Sequence, residues 1–454
     1  MRGLDEAHRS NIQSAGDQWI VLCLALLLIA GAEFVVRGPV RAVQTATGFN
    51  DFLSPYIQAK ALVRGLDPYS PQVLLRLWPA EAPHFFFLPR EVANGTLVAN
   101  RGIPTAYPIT ALALITPFSL LSWNAAYALW LAVNLALFGI MLWGLVELAG
   151  FSFREPAGIL LVAATLALAP FHTGIVTGNV TLAAVELSVI AIWSARRRHD
   201  VAAGLLLAVA AGLKPQIGLC FLLYYLLRRR WRMCGIAMTG LAGVADVGLA
   251  RFEFGHTPWL ANYLDDNRVL LETGVLGNFT AINPTRFGLI NLQVALYPLV
   301  GSVGWTNVAA TAIGASLLAV WIAYVWNTRG ERESQDGREL LEVSAIAVIS
   351  LLPVYHRFYD ATLLVLPLCW AIVWFRREWV SAALSLGLML PFLIPGGTLL
   401  ETMQMAGRIP GALTNHWWWN GLVMPHQVWA LLLLSVVLLR EMGVEGGGEA
   451  QVHS

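Results

Sequence analysis

Charged residues are scarce in this chain. Only 13% of its 454 residues are Asp, Glu, Lys or Arg, whereas 57% are hydrophobic. Soluble globular proteins carry about 25% charged residues, so the composition excludes that class and indicates an integral membrane protein. The formal net charge is +1, which argues against a nucleic-acid partner, because binding to phosphates needs a basic face.

Cysteine is rare as well, and the common nucleotide motifs are missing. The four cysteines lie singly inside apolar segments, a placement typical of small buried side chains rather than of disulfides or metal ligands. The sequence has no Walker A motif, no dinucleotide-binding glycine fingerprint and no His/Cys cluster with metal-site spacing. We therefore expect no cofactor and no bound metal.

Long apolar runs are, by contrast, abundant. A membrane-spanning helix needs about 20 apolar residues, and many segments approach that length. The sequence therefore predicts an all-α polytopic membrane protein with about 11 to 13 spanning helices, in which residues 1–454 form one membrane-embedded domain. The candidate spans are 18–36, 105–122, 125–149, 157–171, 180–195, 203–227, 233–250, 286–304, 307–327, 340–354, 359–375, 379–395 and 427–440.

Clusters of arginine orient these segments, because loops rich in Lys and Arg face the cytoplasm. The clusters lie at 196–198, 228–232, 329–339 and 376–377. The segment between the first two is too short for two full spans, and its Gly-Leu-Lys-Pro sequence at 212–215 predicts two half-helices that meet near Lys214. The same counting places the loop 353–360 on the outer face.

Three longer segments are also predicted on the outer face: 37–104, 251–285 and 396–426. The first is rich in proline and aromatic residues, and we expect short helices that lie on the membrane surface there. Strict alternation of sides fails between residues 105 and 179, so one segment in that stretch is re-entrant or is not a span.

Polar groups at the membrane rim are the candidate functional residues, because each is costly without a partner. Asp51 either caps the helix that follows it or serves as a base, and both roles are compatible because a carboxylate at a helix start stays ionised. Lys214 either snorkels to the interface or binds a phosphate. His356 and Arg357 either contact substrate or form a local pair with Asp360.

Two further positions allow a structural explanation and a functional one. Arg286 begins a span on the outer side, where anchoring alone explains it, and Asn179 is placed to cap the next helix. An acid and several cations on one face are what sugar transfer from a lipid phosphate requires. A sugar hydroxyl needs a carboxylate to take its proton, and cations stabilise the charge on the leaving phosphate. Since nucleotide sugars are cytoplasmic, an outer-face site requires a membrane-borne donor.

A series of short motifs occurs in a fixed order between residues 49 and 360. They lie at 50–56, 65–69, 107–108, 117–118, 177–179, 203–215, 228–231 and 283–285 and in the loop that contains His356. This series resembles the bacterial polytopic glycosyltransferases of the GT-C class, specifically the GT87 family related to polyprenyl-phosphate-mannose-dependent α-mannosyltransferases. Many relatives have Gly-Gln before an asparagine where this chain has Thr177-Gly178-Asn179, which leaves the donor and acceptor details open, mannose included.

The resemblance implies that the acid of the first outer segment is the general base, which here is Asp51. It implies an inverting transfer, without a required metal, from a polyprenyl-phosphate sugar, and it assigns the donor phosphate to Lys214 and to the loop of His356 and Arg357. We predict Asp51 and His356 as catalytic residues. The predicted phosphate-binding residues are Lys214, Arg357 and Arg286, and the predicted substrate-binding residues are Asn50, Tyr56, Tyr107, Asn179 and Asn283.

The expected reaction moves a hexosyl group, with mannosyl the first choice, or a pentosyl group to a glycolipid or glycan acceptor on the outer face of a bacterial cell membrane. One alternative is a transporter or flippase for a lipid-linked glycan, whose broken helix would form a site at the midplane. Against it, the sequence has no internal repeat and no second broken helix in a matching half. A polymerase or ligase that uses a polyprenyl-diphosphate donor shares the chemistry, so only the identity of the donor separates it.

Overall fold

A computed structural model of the protein describes residues 2–44, 50–82, 107–255, 259–272, 277–283, 285–329 and 335–448. Within these ranges the chain forms helices joined by turns, with no β-strand and with one isolated antiparallel bridge between Leu289 and Arg357. The predicted all-α class is confirmed. The helices bring together residues that are far apart in sequence, and this positions the site described below.

The α-helices, numbered in chain order, are α1 (Arg2–Val35), α2 (Arg41–Gln44), α3 (Asn50–Val63), α4 (Pro71–Leu77), α5 (Ile109–Ser119), α6 (Trp123–Leu148), α7 (Pro156–Ala167), α8 (Ala169–Thr177), α9 (Val180–Arg196), α10 (Asp200–Leu213), α11 (Pro215–Leu227), α12 (Trp231–Gly255), α13 (Trp259–Glu272), α14 (Leu292–Val300), α15 (Val303–Asn327), α16 (Gln335–Ser350), α17 (Val365–Trp374), α18 (Trp379–Met389), α19 (Gly396–Met405), α20 (Gly411–Thr414) and α21 (His426–Gly448). Short 3₁₀ segments occur at Arg286–Gly288, Phe358–Leu364 and Leu390–Leu393, and π-helical turns at Val36–Val40 and Trp419–Val423.

Six segments of the described chain are long and apolar enough to cross a membrane, which confirms the polytopic membrane class. They are Gln18–Gln44, Trp123–Leu148, Trp231–Phe252, Val303–Asn327, Trp379–Met405 and His426–Val444. The total is seven if α7 and α8, which are bent by 50°, count as one span. This is fewer than the predicted 11 to 13, because several predicted spans are helices of 10–17 residues. At 1.5 Å per residue, helices of that length are shorter than a hydrocarbon core of about 30 Å.

The stretch 105–179, in which alternation of sides fails, contains two irregular elements: a short helix and a bent pair of helices. Helix α5 has only 11 residues, which is about 16 Å and too short to span alone. Helices α7 and α8 are separated by the extended residue Leu168, which is followed by a proline at the start of α8. A proline removes a backbone donor and clashes with the preceding turn, so it is tolerated only near a helix start.

The predicted break at Lys214 is confirmed. Helix α10 ends at Leu213, Lys214 is extended with φ −147° and ψ 93°, and α11 begins at Pro215. The two half-helices approach each other closely, because a Cβ atom on Gly218 would lie 2.3 Å from the backbone nitrogen of Ala211. Such a break at membrane depth is tolerated where the freed backbone faces protein or a wet cavity.

Helices α3 and α4 account for the short helices that we expected in the first outer segment, and one face of α3 packs into the protein. Phe52 and Tyr56 are fully buried, with the Phe52 ring stacked 4.7 Å from that of Trp130 and the Tyr56 ring 5.2 Å from that of Trp123. The apolar face of α3 therefore packs into the helix bundle. The rest of the predicted segment, residues 83–104, lies outside the described residues.

The contact between α10 and α12 depends on a glycine, which gives a test of the packing. A Cβ atom on Gly204 would lie 2.7 Å from the carbonyl oxygen of Met233 and 2.9 Å from Cβ of Ile236. We expect Gly204→Ala to lower the free energy of unfolding, since overpacking costs about 1–3 kcal/mol. Gly235→Ala on α12 is the matched control, because no described atom lies within 4 Å of its Cβ position. Thermal unfolding in detergent compares the two, and equal midpoints would contradict the close contact.

Candidate active site

Asn179 is the centre of a polar cluster at the start of α9. Its Oδ1 accepts hydrogen bonds from the backbone N–H of Thr181 at 2.9 Å, as an N-cap does, and from the Thr181 hydroxyl at 2.7 Å. Its Nδ2 donates to Asp51 Oδ2 and to the Tyr359 hydroxyl, both at 3.0 Å. Gly178, with φ 64°, adopts the left-handed conformation that ends α8. Asn179 therefore caps α9 and also donates hydrogen bonds to two other side chains of the cluster.

Asp51 lies in the first turn of α3, which begins at Asn50, so it is not the N-cap residue itself. The Asn50 side chain lies outside the described part of the structure. Burial raises the pKa of the Asp51 carboxyl above its usual range, while the positive charge of Arg357 and hydrogen bonds from Asn179 and Tyr359 oppose that shift. The carboxylate is therefore a better proton acceptor than an exposed aspartate, and it stays ionisable.

Tyr107 closes one side of this cluster. Its hydroxyl lies 3.3 Å from the backbone oxygen of Asp51, to which it donates, and 3.3 Å from Asn179 Nδ2. Its own backbone oxygen accepts from the Tyr69 hydroxyl at 2.9 Å, which ties it to the turn after α3. The structure thus brings three of the predicted residues, Asp51, Tyr107 and Asn179, into direct contact.

Lys214 lies behind this contact and is paired. Its ammonium is 2.5 Å from Asp360 Oδ1 and also donates to the Thr181 hydroxyl, and its side chain is only 10% exposed. The Thr181 hydroxyl is in turn 2.7 Å from the same Asp360 oxygen. Lys214 therefore does not snorkel to the interface, and its predicted contact with a donor phosphate would require it to share its charge with Asp360. That contact stays a prediction.

Asp360 also fixes the outer loop. Its Oδ2 lies 2.9 Å from His356 Nδ1 and accepts the backbone N–H of Arg357 at 2.9 Å. The local pair that we considered for His356 is thus present. The second ring nitrogen, Nε2, remains available, because it is buried and has no hydrogen-bond partner among the described residues. Asp360 consequently holds Lys214, His356 and the Arg357 backbone in one arrangement.

The Arg357 side chain differs from the other basic groups of the cluster. Among the residues that the structure describes, its guanidinium makes no hydrogen bond and no ion pair, although its charge acts on Asp51. A Cβ atom on Gly288 would lie 3.8 Å from Arg357 Nη2, so the 3₁₀ turn Arg286–Gly288 is next to the guanidinium. An arginine without a partner beside a carboxylate is available to bind an anion.

Arg286 belongs to a segment that is hydrogen-bonded to the loop of Arg357. Leu289 and Arg357 form the antiparallel bridge, and the backbone N–H of Ile290 donates to the His356 oxygen at 3.0 Å. The Arg286 guanidinium lies over the Phe287 ring, 4.4 Å from its centroid. Arg286 and Arg357 are therefore carried by paired backbone segments.

Two predicted substrate-binding residues are placed elsewhere. The Tyr56 hydroxyl donates to the backbone oxygen of Leu121 at 2.9 Å, and its ring is part of the aromatic packing of α3. The Asn283 side chain donates to the Asn278 oxygen at 2.7 Å and accepts from the Thr285 backbone at 3.0 Å, so its groups are used within its own turn. The structure does not bring either residue into the cluster around Asp51.

The sequence interpretation missed three residues of the cluster. Thr181 and Tyr359 were not singled out, and Asp360 was considered only as a local partner of His356. A signal for Asp360 exists, because a carboxylate at the start of an apolar run needs a cation nearby. No comparable signal marks Thr181 or Tyr359, since a hydroxyl at either position is common on a buried helix.

The chain was compared with known proteins and protein families. No curated protein matches it significantly. The sequence profile of glycosyltransferase family 87 matches residues 105–354, which is more than half of the chain and includes Tyr107, Asn179 and Lys214. The resemblance seen in the motifs is confirmed by this match. The chain belongs to glycosyltransferase family 87, a GT-C-type family of membrane glycosyltransferases.

Proposed function

We propose that this glycosyltransferase takes its sugar from a polyprenyl-phosphate donor and transfers it to a hydroxyl of a glycolipid or glycan with inversion. The observation that carries the proposal is that two groups lie near each other. One is the buried carboxylate of Asp51, held by Asn179, and the other is the guanidinium of Arg357, which has no hydrogen-bond or ion-pair partner among the described residues. The carboxylate can accept a proton, and the guanidinium can bind an anion. The sugar is a hexose, with mannose favoured by the family resemblance, or a pentose.

Asp51 acts as the general base in this proposal. The acceptor hydroxyl attacks the anomeric carbon, and its proton passes to the Asp51 carboxylate as the new glycosidic bond forms. Asn179 orients that carboxylate through its hydrogen bond to Oδ2, and Tyr107 holds the Asp51 backbone oxygen. A single displacement at the anomeric carbon inverts its configuration, and no covalent enzyme intermediate or metal is part of the proposed step.

Arg357 and Arg286 bind the leaving phosphate. As the bond between the anomeric carbon and the phosphate oxygen breaks, its electron pair stays on that oxygen, and the negative charge of the phosphate group increases. Guanidinium groups placed at that position lower the energy of the transition state more than that of the bound donor. The His356 Nε2 has no partner among the described residues, and because Nδ1–H is used on Asp360, Nε2 donates to a phosphate oxygen in the imidazolium form.

Lys214 acts on this step through Asp360. Its charge balances a carboxylate that would otherwise be buried and unpaired, and Asp360 in turn holds His356 and the backbone of Arg357. We therefore assign Lys214 a positioning role. Contact between its ammonium and the donor phosphate remains a secondary proposal.

The proposed site faces the outside of a bacterial cell membrane. Helix α9 begins beside Asn179 and ends at Arg196 after 17 residues, about 25 Å along the helix axis. The cluster 196–198 at its far end is one of the arginine-rich loops that face the cytoplasm. Nucleotide sugars are on that cytoplasmic side, which supports a lipid-linked donor for a site at the opposite end.

The donor is identified by incubating the purified protein with polyprenyl-phosphate mannose, glucose and arabinofuranose and detecting released polyprenyl phosphate. A polyprenyl-diphosphate sugar is included, because a polymerase or ligase would use it. Release from a monophosphate donor, dependent on an acceptor extract, supports the proposal. Turnover of the diphosphate donor alone would favour the polymerase or ligase, and donor translocation without release would favour a flippase.

The variant Asp51→Asn tests the base directly. Loss of general-base catalysis costs typically 10²–10⁴-fold in rate, so we expect kcat to fall by about that factor while donor binding is retained. Asp67→Asn is the matched control, since Asp67 is in the same segment and its carboxylate accepts from the Tyr69 backbone N–H and from the Asn262 side chain, neither of which belongs to the cluster around Asp51. Wild-type turnover of Asp51→Asn would refute the mechanism.

The variant Asn179→Ser tests the hydrogen bond to the base. Serine retains an N-cap oxygen for the Thr181 backbone but is too short to donate to Asp51. Because that hydrogen bond favours the charged carboxylate, its loss raises the pKa of Asp51, and the acid limb of the kcat/KM profile moves to higher pH, by roughly one unit. The measurement is a pH profile of kcat/KM, and an unchanged or lower acid limb contradicts the contact.

The variant Lys214→Met tests the buried ion pair. Removing one partner leaves Asp360 buried without its cation, and such losses cost about 3–5 kcal/mol. We expect the double variant Lys214→Met/Asp360→Asn to regain part of that free energy of unfolding, because no charge is then left unpaired. Thermal unfolding in detergent measures both. If the single variant is as stable as the wild type, the pair does not have the assigned role.

A further inference from the structure

Helix α19 packs directly against the segment that carries Arg286. A Cβ atom on Gly397 would lie 2.4 Å from the backbone oxygen of Phe287, and one on Gly288 would lie 3.4 Å from Thr398 Oγ1. The approach at Gly397 requires a glycine, whereas a Cβ atom at Gly288 would be in ordinary van der Waals contact. The first turn of α19 is therefore held at a fixed distance from the 3₁₀ turn Arg286–Gly288, and through it from the Arg357 loop.

Glu401 is the acidic residue of this wall. It is three positions after Thr398 and so lies on the same face of the helix, and only 7% of it is exposed. Its carboxylate accepts the backbone N–H of Phe287 and is within electrostatic range of both Arg286 and Arg357. The packing of α19 thus places one negative charge beside the two outer-face arginines, where neither the family match nor our sequence interpretation drew attention to it.

The formal charges of this wall are easily counted. Arg286 and Arg357 contribute two positive charges, and Glu401 and the ionised Asp51, which also acts on Arg357, contribute two negative charges, so the net charge is zero. The phosphodiester of a polyprenyl-phosphate sugar has one negative charge, whereas a sugar diphosphate ester has two. Beside these groups the phosphodiester brings one uncompensated negative charge and the diphosphate brings two, and unpaired charge is costly in a buried site.

We propose that Glu401 determines the specificity of the pocket for a lipid phosphate with a single negative charge, by repelling donors with more. This inference rests on the proposed function, since it concerns the pocket to which we assign the donor phosphate. Specificity of this kind comes from repulsion of the wrong ligand as well as attraction of the right one. An additional negative charge about 12 Å from Glu401 lowers affinity on the order of tenfold at an effective dielectric constant of about 20, and a closer charge lowers it further.

The same charge favours release of the product. Transfer converts the phosphodiester into a phosphate monoester, whose second ionisation has a pKa of about 6, so that the product acquires a second negative charge at neutral pH. Glu401 repels this product more than it repels the donor. The carboxylate therefore helps to empty the pocket after each turnover.

The experiment measures binding of a polyprenyl-phosphate sugar and of the corresponding polyprenyl-diphosphate sugar, without acceptor, to the purified full-length protein at pH 8.5, where a carboxylate is ionised. The readout is the ratio of the two dissociation constants. Removal of the negative charge in Glu401→Gln strengthens binding of both lipids, but more for the diphosphate, so the ratio shifts toward the diphosphate by about tenfold. A purely structural defect would weaken both and leave the ratio unchanged.

Two controls accompany this variant. Glu401→Asp retains the charge and is expected to retain the wild-type ratio, and it serves if Glu401→Gln does not fold. Glu155→Gln removes a charge from an exposed residue at the start of α7 and should change neither dissociation constant. The ratio of the wild type and that of Glu401→Gln are also expected to converge at a pH low enough to protonate the carboxyl.

The outcomes separate this inference from the proposed function. An unchanged ratio in Glu401→Gln, together with wild-type transfer from a monophosphate donor, overturns the role of Glu401 and leaves the function intact. A wild-type preference for the diphosphate overturns the specificity and the proposed donor but keeps a phosphate pocket. Binding of neither lipid by the wild type shows that the two arginines do not form a donor pocket, and both proposals then fail.

Discussion

The buried ion pair between Lys214 and Asp360 is the interaction on which the rest of the site depends. Taking two charges out of water is expensive, so such a pair is weak evidence for stability, and its value lies in geometry. One oxygen of Asp360 meets Lys214 and Thr181, and the other holds His356 and the backbone of Arg357. Thr181 connects the pair to Asn179, whose amide group donates to the Asp51 carboxylate.

Part of this arrangement follows from sequence alone and part does not. The break at Lys214 was predictable from the segment between two arginine clusters. That segment is too short for two spans and longer than one span needs, and it contains Gly-Leu-Lys-Pro. Its partner was not, because Asp360 lies 146 residues away and nothing local indicates which outer-face carboxylate approaches. The burial of one face of α3 was not predictable for a related reason: an apolar helix face packs equally well on lipid or on other helices, and the sequence does not say which.

The number of spans was overestimated because hydropathy does not distinguish contact with lipid from contact with protein. Helices α10 and α11 are apolar and shorter than a bilayer, and a helix that is hydrophobic all round is also what a bundle interior requires. Arginine counting has a similar limit. Arg228 was used as a marker of the cytoplasmic side, yet it also forms an ion pair with the fully buried carboxylate of Glu342. Its presence is therefore explained by packing as well.

The residues of the cluster lie partly inside and partly outside the segment that the family profile matches. The matched segment 105–354 contains Tyr107, Asn179 and Lys214, which orient and support, together with Arg286. The proposed base Asp51 precedes it, and the Arg357 loop and Glu401 follow it. Because the reacting groups come from flanking segments that converge only in the folded bundle, membership in the family specifies the framework. Of the charges that we assign to the donor pocket, Arg286 lies in the matched segment, whereas Arg357 and Glu401 lie beyond it.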